Sequence, residues 1–333
     1  MNFRYICSFS LLLLTHYSLA QSADYTIISN PNSIIYDVCF SKGGSLLVYP
    51  ENNIIYIYDV KQSRNIQILE GAHLQAVLSV DLSSDSSLVV SGGKDGLINI
   101  WDINSKQVIH SINPYRGVIC TVKFSPDNKY IAAGTADGSV ILLDPLTGNE
   151  VKVFTGFRMD INALSFSNNS PILAFGGGDK KVVLINTSDW NVIDTISKHT
   201  GWIRDIDFCE ESGNLLACGD NGNLNEWQLY SNNEVKRYFK RYKSFSWLLS
   251  ADFNYSDSDI ATGSLSGLIK VNIGQNVYKY RIQRPVQKVR FIPNCGELIK
   301  IAVATRGKGL IIINAENMKL YGQGRYKKPY DWY

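Results

Sequence analysis

The sequence predicts an all-β protein of seven like-sized, four-stranded antiparallel sheets set side by side. Three observations predict it. An apolar triplet at i, i+3 and i+5 recurs about every 42 residues along the chain. A second column, mostly Asp or Asn, closes each unit at matching intervals. Between them, turns such as Asp95-Gly96, Asp137-Gly138, Asn221-Gly222 and Ser266-Gly267 join short runs rich in Val and Ile. Such dipeptides are hairpin signals, because Gly accepts the positive φ these turns need.

The triplets, in order, are Ile35-Val38-Phe40, Val77-Val80-Leu82, Ile119-Val122-Phe124, Ile161-Leu164-Phe166, Ile203-Ile206-Phe208, Leu248-Ala251-Phe253 and Val286-Val289-Phe291. The closing column reads Asp59, Asp102, Asp144, Asn186, Gln228, Ile273 and Asn314. The third unit shows the plan. Its strands are Ile119 to Phe124, Tyr130 to Gly134, Val140 to Leu143 and Val151 to Phe154, with Ser125-Pro126-Asp127-Asn128 as a turn. These runs are too short for ordinary helices and are rich in β-branched residues. A lone sheet of this size leaves both faces bare. Radial stacking covers them and shields most edges. Seven copies therefore predict a seven-bladed β-propeller over residues 25–321, with the most apolar segment, the first of each unit, nearest the axis. Two segments compete to close the ring, Tyr25 to Ile28 and Met318 to Tyr321.

The ends read differently. Arg4, the apolar run Ile6 to Leu14 and Ser18-Leu19-Ala20 have the order of a secretory signal over residues 1–20, and no segment has the length of a membrane span. Residues 322–333 form an aromatic and basic tail. Removing the leader leaves five cysteines (Cys39, Cys120, Cys209, Cys218 and Cys295), an odd number with no metal or redox spacing. Unpaired thiols favour an intracellular site and the leader favours secretion, so the compartment stays open.

Composition narrows function. The 333 residues are 45% hydrophobic and 19% charged, with a net charge of +3. That balance fits a globular chain and disfavours dedicated nucleic-acid binding. No zinc spacing, nucleophile elbow or phosphate loop occurs, and Gly176-Gly177-Gly178-Asp179-Lys180 reads as a turn. No catalytic residue, cofactor or metal site is assigned.

The repeats resemble the WD-repeat β-propeller family over nearly the whole chain. Trp101-Asp102 is the one literal Trp-Asp pair, Trp227-Gln228 is close to it, and His73 and His199 stand where the family has a His before the first strand. The resemblance implies that His73, Ser91, Asp95 and Trp101 form a hydrogen-bonded set that braces their blade. Other units depart from the pattern: Tyr115 and Phe157 stand at the His position, and Asn272-Ile273 replaces Trp-Asp.

The resemblance also implies a non-catalytic scaffold that binds other proteins on the face carrying the loops before each first strand and the second-to-third turns. Those positions hold Lys94, Arg116, Arg158, Trp202, Arg204, Asp220, Phe245, Trp247, Arg284 and Arg306. Trp and Arg often dominate interface energy, and this set suits an acidic or phosphorylated segment. Packing of the aromatics between blades is the structural alternative. The run Lys236-Arg237-Tyr238-Phe239-Lys240-Arg241-Tyr242-Lys243 offers an RNA-binding alternative, against the reading of a charged strand that blocks edge pairing. A propeller enzyme with carboxylates in the axial channel is the third function class.

Overall fold

The computed structural model describes residues 25–229, 235–254, 259–294, 299–315 and 318–323. The leader, Cys7, Cys295 and residues 324–333 lie outside them. Twenty-nine strands form seven antiparallel sheets, a seven-bladed propeller. Blade three runs β10 (Ile119–Phe124), β11 (Ile131–Thr135), β12 (Val140–Leu143) and β13 (Glu150–Phe154). The inner strands of the other blades are β2 (Cys39–Phe40), β6 (Val77–Leu82), β14 (Ile161–Phe166), β18 (Ile203–Phe208), β22 (Leu248–Phe253) and β26 (Val286–Phe291).

The spacing of the apolar triplet has a structural cause. In blades two to seven the inner strand carries a register shift after its first residue, as between Ile119 and Thr121. A bulge adds one residue, so the alternation of a flat strand, i, i+2, i+4, becomes i, i+3, i+5. All three triplet residues then share a face. That face packs on the preceding blade, as Val77, Val80 and Leu82 pack with Cys39, Val48, Ile55 and Ile57. Seven such apolar clusters fill the seven interfaces. One joins Ala302, Ala304 and Leu310 of blade seven to Ile35, Leu47 and Tyr49 of blade one, so the ring is closed.

Both candidate closing segments are used, in different places. Strand β1 (Tyr25–Ile27) pairs with β28 (Leu310–Asn314), Tyr25 opposite Ile313, and completes blade seven. Ser29 Oγ accepts the Leu310 amide at 2.7 Å just beyond it. Strand β29 (Lys319–Gln323) instead lies beside β25 (Asn276–Arg281) and makes blade six five-stranded.

Each inner strand pairs with one neighbour and leaves its other edge toward the axis. Side chains of the preceding blade satisfy amides on that edge, as buried N–H groups require. Residue i+2 of one blade takes the i+3 amide of the next. Asp37 accepts Val80 N–H (3.2 Å), Ser79 Oγ accepts Val122 N–H (3.1 Å), Asp205 accepts Ala251 N–H (3.2 Å) and Ser250 Oγ accepts Val289 N–H (3.1 Å). Residue i+4 takes the i+5 amide: Asp81 accepts Phe124 N–H (2.8 Å), Asp207 accepts Phe253 N–H (2.9 Å) and Asp252 accepts Phe291 N–H (2.7 Å).

These carboxylates are partly neutralised. Lys288 and Arg290 donate to Asp205 and hold its carboxyl below the usual range against the upward push of burial. Lys123 pairs with Asp81 at 2.9 Å. Burial raises the carboxyls of Asp207 and Asp252, which titrate together. They line an axial cavity of about 490 Å³ that draws residues from all seven blades and opens on the face of the first-to-second strand loops. No group of three His, Cys, Asp or Glu side chains among the described residues is placed to hold a metal ion. No described helix is long and apolar enough to cross a membrane.

A raised carboxyl keeps a proton in the native state that the unfolded chain releases. Its stabilising contribution is complete below the unfolded value and lost as pH rises through the native one. Thermal unfolding followed from about pH 4 to about 8, the native value of Asp207, should therefore show a falling Tm. Asp207→Asn, which can still accept the Phe253 amide, should flatten that fall by roughly 2–4 °C. An unchanged slope would contradict the assignment.

Candidate functional site

The lead-in loops and the second-to-third turns interlock on one face. Within a blade, the first turn residue donates its amide to the carbonyl just before the inner strand. Lys94 bonds Ala76, Ala136 bonds Val118, Asp220 bonds Trp202, Leu265 bonds Trp247 and Arg306 bonds Pro285. Between blades, a turn glycine abuts the next lead-in loop. An added Cβ would sit 1.8 Å from Ile282 O at Gly267 and 2.3 Å from Phe157 O at Gly138, and both residues have positive φ. Only Gly fits that conformation and that space. Gly309 meets Asn30 O in the same way and carries the belt across the ring closure.

All ten residues named for partner binding lie on this belt or at its inner rim. Their side chains are not equivalent. Asp220 binds Arg204 through two 2.7 Å bonds, and the guanidinium lies 5.1 Å from the Trp202 ring centre and 5.9 Å from that of Trp247. Arg204 is therefore already paired, and it holds the two indoles together. Arg116 reaches Asp137 and Ser139. Lys94 sits 5.4 Å from the Tyr36 ring centre. Arg158, Arg284 and Arg306 are exposed, and none forms an ion pair with a described carboxylate. Trp247 is half exposed and Phe245 fully so, so neither is packed between blades.

Three exposed apolar side chains of the lead-in loops were not among those ten: Leu74 (85% exposed), Tyr115 (90%) and Met159. Their signal was position alone. Each lies two to four residues before an inner strand, where other blades carry Phe245 or Trp247.

The bracing set forms as the resemblance implies. Trp101 Nε1–H donates to Ser91 Oγ at 2.8 Å, Ser91 lies 2.8 Å from His73 Nε2, and His73 Nδ1 lies 3.0 Å from Asp95. Asp95 also accepts the Leu74 amide at 2.9 Å, which ties the lead-in loop to the turn. Burial lowers the His73 pKa against the upward pull of Asp95. Blade five lacks the hydroxyl. Ala217 takes the place of Ser91 in the strand register. His199 instead accepts from Asn225 Nδ2 at 3.0 Å, and the buried Trp227 Nε1 has no hydrogen-bond partner. Burial holds the His199 imidazole down at about 4.

The run from Lys236 to Lys243 falls in β21 (Val235–Lys243), the outer strand of blade five, paired along β20 (Asn223–Leu229). That is an edge position of the sheet.

Comparison with known proteins places this geometry among its relatives. The sequence family described as WD domain, G-beta repeat matches residues 63–102, 106–144, 148–186 and 190–228. Protein NEDD1 of Homo sapiens is 31% identical over 90 residues, 26% of this chain and 14% of that protein. Anaphase-promoting complex subunit cdc20 of Dictyostelium discoideum is 43% identical over 54 residues, 16% of this chain and 11% of that protein. These matches span a small share of each curated relative. The structure of U3-55K superposes with a TM-score of 0.75 at 18% identity, covering 88% of this chain and 99% of that one. The crystal structure of RRP9 WD40 repeats gives 0.74 at 18%, covering 90% and 98%. At that identity the likeness is one of fold.

The unpartnered indole of blade five yields a stability prediction. Ala217→Ser supplies the missing acceptor for Trp227 and should stabilise the protein by about 1 kcal/mol. Thermal unfolding checks it. An unchanged or lowered Tm would show that blade five cannot take the blade-two network.

Proposed function

We propose that this chain, a WD-repeat β-propeller, works as a non-catalytic platform that holds a segment of another protein on its interlocked loop face. WD-repeat propellers are commonly protein-interaction scaffolds and typically non-catalytic, which supports the general reading. The finer reading rests on how charge is distributed over that face.

Four aspartates of that face are bonded within it. Asp95 serves His73 and Leu74, Asp137 serves Arg116, Asp179 accepts the Arg158 amide at 3.0 Å, and Asp220 serves Arg204. The cations Lys94, Arg158, Arg284 and Arg306 point outward beside Leu74, Tyr115, Phe245 and Trp247. A face whose turn aspartates are bonded to its own loops, and which presents exposed cations with apolar anchors, suits an acidic or phosphorylated segment that also carries apolar side chains.

Affinity capture tests the reading. Partners recovered by the wild-type chain should fall about tenfold with the double variant Phe245→Ala and Trp247→Ala, both exposed residues. Leu146→Ala, at a 79% exposed residue on the opposite face, should retain them. Equal recovery by all three would remove this face as the docking surface.

A further inference from the structure

The second residue of each second-to-third turn follows one rule through five blades. It reads Asp95, Asp137, Asp179, Asn221 and Ser266 in blades two to six. In blades two to five its side chain reaches the lead-in loop of its own blade. Asp95 takes the Leu74 amide, Asp137 takes the Arg116 guanidinium, Asp179 takes the Arg158 amide and Asn221 reaches Thr200 Oγ1 at 3.3 Å. In blade six the Ser266 amide donates to Ser246 Oγ at 3.1 Å.

Blade seven breaks the rule. Its turn aligns in register with that of blade three, although the positive φ falls at Gly307 and Gly309 rather than at Gly138: Thr305 bonds Gly309 as Thr135 bonds Ser139, and Arg306 bonds Pro285 as Ala136 bonds Val118. Gly307 therefore stands where blade three has Asp137. The lead-in loop still supplies an arginine, and Arg284 Nε lies 4.0 Å from the point a Gly307 Cβ would occupy. A second arginine, Arg306, has replaced the neutral Ala136. Both side chains are exposed. In the same turn Lys308 adds a third cation, its ammonium 4.5 Å from the Tyr25 ring centre. Arg284 and Arg306 are thus both exposed at a turn that has Gly307 where blade three has an aspartate. Like charges so placed repel each other until an anion joins them.

We propose that the space beside Gly307, between Arg284 and Arg306, is a subsite for an oxyanion side chain of a partner protein, either a phosphorylated residue or a carboxylate. The incoming group takes the role that Asp137 plays for Arg116 in blade three. The fork of donors on each guanidinium matches two oxygens of such a group, which a lysine point charge does not. The inference deepens the loop-face reading and rests on it, and it commits that face to blade seven for its charged contact.

Arginine side-chain NMR on the full chain tests it. The protein is labelled with ¹⁵N-arginine, and the Nε–Hε signals are followed on adding N-acetyl-phosphoserine methylamide or N-acetyl-glutamate methylamide. Arg284 and Arg306 should shift and saturate, while Arg116 and Arg204, already paired with aspartates, stay in place. The tighter of the two probes identifies the source of the oxyanion. Arg284→Ala and Arg306→Ala should each weaken binding at least about fivefold without altering thermal unfolding. Shifts that never saturate, or that appear equally at Arg116 and Arg204, would overturn the subsite. Tighter saturation by an octauridylate RNA than by both probes would overturn its assignment to a protein side chain. Loss of capture in the Phe245 and Trp247 variants is read independently, so failure of the subsite and failure of the docking face are distinguishable.

Discussion

The axial edge of the inner strand governs this structure. Every blade has an inner strand with a single neighbour, and its free edge faces the axis. An open edge of that kind exposes amides that would be costly to bury and prone to pair with other chains. The chain meets both problems with side chains borrowed from the preceding blade. Asp37, Ser79, Asp81, Asp205, Asp207, Ser250 and Asp252 each accept an amide of the next inner strand. Blades two, three, six and seven are therefore chemically incomplete without the blade that precedes each of them.

That requirement explains where charge resides. Carboxylates near the axis serve as amide acceptors and take Lys123, Lys288 and Arg290 as counter-ions. Carboxylates on the loop face serve as ties between turn and lead-in loop. The chain carries 33 basic and 30 acidic residues, a near balance. The turn aspartates of the loop face bond within it, and Lys94, Arg158, Arg284 and Arg306 are exposed there.

Much of this was legible in the residues. The three-then-two spacing of the triplets, repeated seven times, located the inner strands, and in six of them it is the bulge itself. The chain from Trp101 to Asp95 followed from the same repeat. Closure was legible only as a choice, because Tyr25–Ile27 and Lys319–Gln323 are both short β-prone segments next to the last blade. Register against Ile311–Ile313 selects the first, and no local pattern announces that the second adds to blade six. The ten loop residues were placed on the correct face from repeat position, but their states were not. Whether Arg204 is paired and Arg284 is unpaired depends on Asp220 and Gly307, residues 16 and 23 positions away that only folding brings near. The axial network was the least visible, since its members lie about 42 residues apart and look like ordinary polar positions of a strand.

Native-state hydrogen exchange at the amides of Val80, Val122, Phe124, Ala251, Phe253, Val289 and Phe291 tests the fastening of the ring most directly. If side chains of the preceding blade hold them, all seven should exchange only through global unfolding, as slowly as the most protected amides of the middle strands. Rapid exchange, at rates typical of an exposed edge strand, would contradict the account.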